Sequence, residues 1–185
     1  MMNTPDLTLV VLAYNEQENV APFLRDCLAY LDTKEGQHEI VVIDDGSADE
    51  TLARAGAVAD ADPRVRIVSH GVNRGMGAGI RSGFAAARGE YVSILAADGQ
   101  VRAWELDKML PSLAEAPIVL SVYRSRGDGA HRWALSTGMR LMMRALLGVD
   151  FRLQGIYLFP VAVARDEVGL EIIKAETFFF SFELI

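Results

Sequence analysis

Cysteine occurs once in the 185 residues, as Cys27, so no internal disulfide can form and the chain suits a reducing compartment. Histidine is nearly as scarce. His38, His70 and His131 stand at no metal-ligand spacing and read as surface or loop residues. No apolar run reaches the length of a membrane span, and with the polar stretch Met1–Asp6 ahead of a short apolar run no signal peptide is expected. Basic charge is in deficit: 18 Lys and Arg against 25 Asp and Glu leave a net charge of −7, which speaks against a nucleic-acid partner for the surface at large. Repeats, low-complexity tracts and linkers are also missing, and the length fits a single domain spanning residues 1–185.

Apolar residues, by contrast, make up 51% of the chain, which excludes disorder. They gather in short runs that break off on polar groups. Leu7–Ala13 stops at Tyr14-Asn15-Glu16, Glu39–Ile43 at Asp44-Asp45-Gly46-Ser47, and Tyr91–Leu95, extended by Ala96-Ala97, at Asp98-Gly99-Gln100. Buried strands ending this way deliver charge to the rim of a sheet, where open α/β folds bind ligands. Helical spacing follows each run. Val20, Phe23, Leu24, Cys27, Leu28 and Leu31 predict one amphipathic helix, with Cys27 on its buried face. Ser47 and Glu50 match a capping box for a helix over about 49–59. A third strand over 64–69, a helix over 76–88 ended by Gly89, a helix over about 103–113, strands over 117–122 and 155–159, and a long helix over 131–147 complete the pattern. Alternation of this kind predicts an α/β fold with a mostly parallel, Rossmann-like sheet covered by helices on both faces.

Three stretches carry candidate chemistry. Helix capping accounts for Ser47 but not for two adjacent aspartates, since one cap needs one acceptor. Asn73-Arg74-Gly75-Met76-Gly77-Ala78-Gly79 fails the dinucleotide fingerprint, because counting from Gly75 or Gly77 the third glycine is absent, and its glycines fit close packing of a helix on a sheet or ligand instead. Asp98 and Gln100 offer hard oxygen ligands for Mg²⁺ or Mn²⁺, or alternatively a turn that bonds its own backbone. Against the acidic background, residues 124–152 hold Arg124, Arg126, Arg132, Arg140, Arg144 and Arg152 with only Asp128 and Asp150, which points to a local anionic partner. Arg132, Ser136, Arg140 and Arg144 repeat every four residues, opposite a greasy face of Met139, Met142, Met143, Leu146 and Leu147, so this segment is also suited to an anionic membrane surface.

Taken in order, Val11-Leu12-Ala13-Tyr14-Asn15-Glu16, Val41–Ser47 with Asp49, Asn73-Arg74-Gly75 with Gly77, and Asp98-Gly99-Gln100 resemble the family 2 inverting glycosyltransferases of the GT-A fold. Within that family they look most like the dolichyl- or polyprenyl-phosphate sugar transferases. The resemblance implies transfer of a sugar from a nucleotide diphosphate sugar to a lipid phosphate. It places Ala13, Tyr14, Glu16, Asp44, Asp45 and Asn73 around the nucleotide, and Asp98 with Gln100 at a Mg²⁺ or Mn²⁺ ion. Arg124, Arg132 and Ser136 correspond to its phosphate and acceptor set, with Asp98, Arg124 and Arg132 as the catalytic group.

Ala96-Ala97-Asp98 stands where the family has Asp-x-Asp, which implies weaker metal binding, and the Gln-x-x-Arg-Trp pattern of processive synthases is missing. The family also continues past the position of Ile185. With the intensely apolar ending Thr177–Ile185, this suggests a chain truncated at its C-terminus or aromatics that dock on a partner or membrane. The nucleotide half is then expected over about 1–122 and an incomplete acceptor side over about 123–185. The expected location is cytoplasmic, peripheral to the inner face of a membrane, and a homo-oligomer is compatible with the sequence. Two rival readings stay open: a noncatalytic nucleotide-sugar-binding module, and a family 2 transferase using a hydroxyl acceptor, for which Glu176 is the candidate base. A Rossmann oxidoreductase is disfavoured by the glycine spacing.

Overall fold

The computed structural model describes residues 6–114, 119–122 and 154–167. Six strands form one sheet, β1 (Leu7–Ala13), β2 (His38–Asp44), β3 (Val65–Ser69), β4 (Tyr91–Ala96), β5 (Val119–Val122) and β6 (Gln154–Pro160), in the order β3-β2-β1-β4-β6-β5. The first four run parallel, as the alternation predicts. The last two do not: β6 is antiparallel to both β4 and β5, so the sheet is mixed at that side.

Both faces of the central strands are buried, which explains why their sequences are continuous apolar runs. Leu9, Val11, Ile40 and Val42 pack under helices α1 (Val20–Leu31) and α2 (Thr51–Ala61). Val10, Val41 and Ile43 face α3 (Met76–Ala86), where Phe84 meets Phe159 edge to face at 5.2 Å. Gly83 brings α3 onto β1: a Cβ there would lie 2.3 Å from Val10 Cγ1. A Cβ on Gly79 would stand 3.2 Å from Leu12 Cδ2, so Gly79 and Gly83 both serve close packing of α3 on the sheet. Cys27 is fully buried on α1, and burial, with the Asp26 charge beside it, pushes its thiol up to about 12.

Three boundaries differ from the sequence expectation. No capping box forms at Ser47 and Glu50. The Ser47 hydroxyl instead accepts the Asn15 N–H at 3.0 Å, α2 starts at Thr51, and Asp49 takes the Thr51 N–H at 2.9 Å. The expected helix over 103–113 is two short 3₁₀ segments, Ala103–Lys108 and Leu110–Ala114, because Pro111 has no N–H to give and its ring crowds the preceding turn. Helix α3 ends at Ala86 rather than at Gly89. Its last carbonyls are taken by arginines: Arg66 donates to Ala86 O at 2.8 Å, and Arg165, just after β6, donates to Phe84 O, Ala85 O and Ala87 O. The helix expected over 131–147 lies outside the described residues.

At the N-terminal end of the sheet sits a buried charge. Glu39 accepts the Thr8 hydroxyl at 2.9 Å, the Arg88 N–H at 2.6 Å and two Arg66 N–H groups at 2.7 and 3.1 Å. This satisfied network ties β1, β2, β3 and the turn after α3 together, at the end of the strands opposite the polar rim.

Candidate functional site

The polar rim is built where the parallel strands end. Strand order reverses at β1, with β2 on one side and β4 on the other, and a crevice at the carboxyl ends of such strands is the usual ligand site of open α/β sheets. Backbone hydrogen bonds carry the sheet into its loops: Ala97 N–H reaches Leu12 O at 2.9 Å, Asp45 N–H reaches Ala13 O at 2.9 Å, and His70 N–H reaches Asp44 O at 3.0 Å. Four loops are thereby fixed side by side. They bring Ala13, Tyr14 and Glu16, then Asp44 and Asp45, then Asn73, then Asp98 and Gln100, to one edge of the sheet. Arg124, Arg132, Ser136 and Glu176 lie outside the described residues.

The first two loops clasp each other. Asn15, in the left-handed region at φ 55°, accepts the Ala48 N–H through its side chain at 2.9 Å while its own N–H goes to Ser47. Glu16 N–H donates to the Thr51 hydroxyl at 2.7 Å, and Gln17 N–H to Asp49 at 3.2 Å. Burial raises Asp49, but the hydrogen bonds from Thr51 and Gln17 outweigh it and hold the carboxyl below its usual range. Tyr14 projects from this clasp and is half exposed.

The two aspartates have separate surroundings. Asp44 is buried, accepting the Ser47 N–H at 3.3 Å and the Ser69 hydroxyl at 3.0 Å. Asp45 reaches the loop after β3: one oxygen accepts His70 Nδ1–H at 2.7 Å and Arg74 N–H at 2.9 Å, the other Gly75 N–H at 2.8 Å. Capping alone could not account for the pair in sequence; in the fold each has intramolecular partners. His70, expected as an ordinary loop or surface residue, is instead nearly enclosed, its Nε2 bonded to Ser82 on α3 at 2.8 Å. Strand register brings it beside Asp45, since Asp44 is opposite Ser69, but no pattern in a single sequence reveals which strands pair.

Asp98 is exposed on the loop after β4, where one oxygen accepts the Gln100 N–H at 3.0 Å. Among the described residues no group of three or more His, Cys, Asp or Glu side chains could hold a metal ion. Ala96 adds no side-chain oxygen. Among the described residues this edge thus offers a divalent ion the single carboxylate of Asp98, and Mg²⁺ commonly takes one or two carboxylates together with phosphate oxygens.

With this geometry in place, comparison with known proteins is direct. The chain belongs to glycosyl transferase family 2, whose sequence profile matches residues 8–168. A dolichyl-phosphate beta-glucosyltransferase of Drosophila melanogaster is 30% identical over 169 residues, covering 87% of this chain and 52% of that protein. The human dolichyl-phosphate beta-glucosyltransferase is 27% identical over 94% of this chain and 56% of its own length. The succinoglycan biosynthesis protein ExoO of Rhizobium meliloti reaches 40%, over 57% of this chain and 29% of that protein. The chain thus spans about half the length of the curated relatives it matches. Among solved structures, glucosyl-3-phosphoglycerate synthase of Mycobacterium tuberculosis with Mn²⁺, UDP-glucose and phosphoglyceric acid superposes with TM-score 0.64 at 23% identity, over 86% of this chain and 57% of that one. TarS of S. aureus in complex with UDP-GlcNAc gives 0.63 at 18% identity, over 97% and 53%. These likenesses establish a GT-A fold.

Proposed function

We propose that the protein transfers a sugar from a nucleotide diphosphate sugar, of the uridine series, to a polyprenyl phosphate, with inversion at the anomeric carbon. The observation that carries this reading is the convergence of four strand-end loops at the β1/β4 reversal in a chain 30% identical to a dolichyl-phosphate beta-glucosyltransferase over 87% of its length. In this reading Ala13, Tyr14, Glu16, Asp44, Asp45 and Asn73 surround the nucleotide, the two aspartates acting as much through the loops they hold as through free oxygens. Residues 1–122 form the donor half and residues 123–185 the acceptor side of one domain. Arg124, Arg132 and Ser136 take the phosphates.

The reaction forms a bond from a phosphate oxygen to the anomeric carbon as the bond to the diphosphate breaks, the electron pair leaving with the nucleotide. A phosphate nucleophile is already anionic near neutral pH, so no general base is required. What the site must supply is counter-charge for the departing diphosphate. Asp98 would hold Mg²⁺ or Mn²⁺, which supplies Lewis-acid stabilisation of that charge when bound. Arg124 and Arg132 add fixed positive charge with forked donors.

The 40% identity to a succinoglycan biosynthesis protein favours a second reading, the same donor with a hydroxyl acceptor, in which Glu176 is the base. No helix among the described residues is long and apolar enough to cross a membrane. The basic, amphipathic segment over 131–147 suits peripheral attachment at a cytoplasmic membrane face, and a second copy of the chain is a further candidate partner.

The test is transfer of radiolabelled sugar by the intact protein to polyprenyl phosphate or to a hydroxyl acceptor, across a panel of UDP- and GDP-sugars with and without Mn²⁺. Label moving to neither acceptor, with nucleotide sugar still bound, identifies a binding module instead. Asp98→Asn should reduce transfer by at least about a hundredfold, a few kcal/mol of barrier. Full activity in that variant removes Asp98 from the chemistry.

A further inference from the structure

The loop carrying Asn73 and Arg74 is held by a chain of polar groups in which Asp45 is backed by His70 and Ser82, two residues that the proposed reaction does not itself use. Asp45 Oδ1 accepts His70 Nδ1–H at 2.7 Å, and Ser82 Oγ lies 2.8 Å from His70 Nε2. The side chains of His70 and Asp45 are only 4% and 12% exposed, so these bonds form largely out of water. A carboxylate can only accept, which fixes the proton on Nδ1 and leaves Nε2 to receive the Ser82 hydroxyl proton when the ring is neutral. Both ring nitrogens are therefore committed, and the imidazole spans from the end of β2 to the second turn of α3.

The same Asp45 oxygens accept the Arg74 and Gly75 N–H groups at 2.9 and 2.8 Å. These are the two residues that turn the chain into α3, Gly75 doing so at φ 85°. If the carboxylate rotates, both amides lose their acceptor together. We propose that His70, braced by Ser82, is a positioning residue for the nucleotide end of the site: it holds Asp45 in the one orientation that receives both amides, and so sets the turn from which Asn73 and Arg74 project. This rests on the nucleotide-sugar reading above. A purely structural filler at this position would be better served by an apolar side chain, because burying a polar pair is costly unless every bond is made. Here every bond is made, and at the ligand edge of the sheet. That is where a fixed first layer of residues needs support from behind.

The experiment compares the intact protein with His70→Leu, His70→Asn and Ser82→Ala. Two quantities are measured: amide hydrogen exchange at Arg74 and Gly75, and the Kd for UDP with Mn²⁺. His70→Leu removes both bonds and should speed exchange at the two amides and weaken UDP binding by about tenfold or more. His70→Asn keeps a donor near the Nδ1 position and should restore most of the affinity. Ser82→Ala removes only the brace and should weaken binding by roughly threefold. Should His70→Leu fail to fold, His70→Asn and Ser82→Ala still order the series. Unchanged exchange in Ser82→Ala and His70→Leu, or faster exchange with UDP affinity within twofold of the parent, overturns the positioning role. Parent protein that binds neither UDP nor GDP refutes the nucleotide reading itself, and the proposal falls with it.

Discussion

Gly46, Gly71 and Gly99 share nearly the same left-handed backbone, at φ 72°, 70° and 70°, yet their surroundings differ completely. A Cβ on Gly71 meets nothing within 4 Å, and one on Gly99 makes an ordinary contact with Phe23 at 3.7 Å. A Cβ on Gly46 would sit 2.2 Å from the carbonyl carbon of Val72 and 2.5 Å from the Asn73 nitrogen. Those are backbone atoms, which cannot swing aside as a side chain can. Gly71→Ala and Gly99→Ala should therefore each cost only the left-handed penalty, about 1 kcal/mol. Gly46→Ala should cost that plus an overpacking term of about 1–3 kcal/mol, so roughly 2–4 kcal/mol in all. Urea unfolding at pH 7, followed by intrinsic tryptophan fluorescence, gives the three values on one scale. Gly46→Ala should also weaken UDP binding, because relief of the clash moves the turn at Asn73. If Gly46→Ala proves no more destabilising than Gly71→Ala, the interlock between the loops after β2 and β3 is refuted.

Other perturbations probe the rest of the scaffold. Glu39→Ala strands the Arg66 guanidinium, the Thr8 hydroxyl and the Arg88 N–H near the sheet's far end, and should cost about 3 kcal/mol in urea, whereas Lys108→Ala, which breaks an exposed pair with Glu105, should stay within about 0.5 kcal/mol. Equal costs would remove the buried network's role. Asp62 is held below its ordinary pKa mainly by the Arg64 hydrogen bond, Asp107 by that from Lys34, and Asp49 by the bonds from Thr51 and Gln17 that outweigh its burial. Since these folded-state values are depressed, their stabilisation is present above the unfolded carboxylate pKa of about 4 and is lost as pH falls through the folded values. The urea midpoint should accordingly drop between pH 5 and pH 3 by less when all three are changed to Asn; an identical drop refutes their part in it. Cys27, with its thiol raised to about 12, should react with a thiol reagent at neutral pH only after urea unfolds the chain, and rapid labelling of the native protein contradicts its burial.

Most of the scaffold and much of the rim were legible before any coordinates. Strands buried on both faces wrote themselves as unbroken apolar runs, and their abrupt polar ends marked one rim, so Tyr14, Asp45 and Asp98 could be grouped in advance, while Asn73 joined them only through the family resemblance. Two kinds of information were not there. Pairing between distant segments is invisible in one sequence, which is why His70 read as a bystander although it lies against Asp45, 25 residues away. Competition between partners is invisible too: Ser47 carried the local signature of a helix cap, but Asn15, 32 residues earlier, claimed its hydroxyl. The 3₁₀ segments after β4 belong to a third case, where the local sequence predicts one helix over 103–113 but Pro111 lacks the donor that a regular helix needs.

Strands β5 and β6 lie side by side, with Val122 in register with Gln154, so the two ends of the connection between them stand at neighbouring points of the sheet. Arg165, just after the end of β6, is bolted to the end of α3. An excursion anchored this way at both feet can lengthen or change its composition at small entropic cost, because its endpoints are already together. Changes in the length or composition of that stretch would then leave the register of the parallel strands β1–β4 untouched.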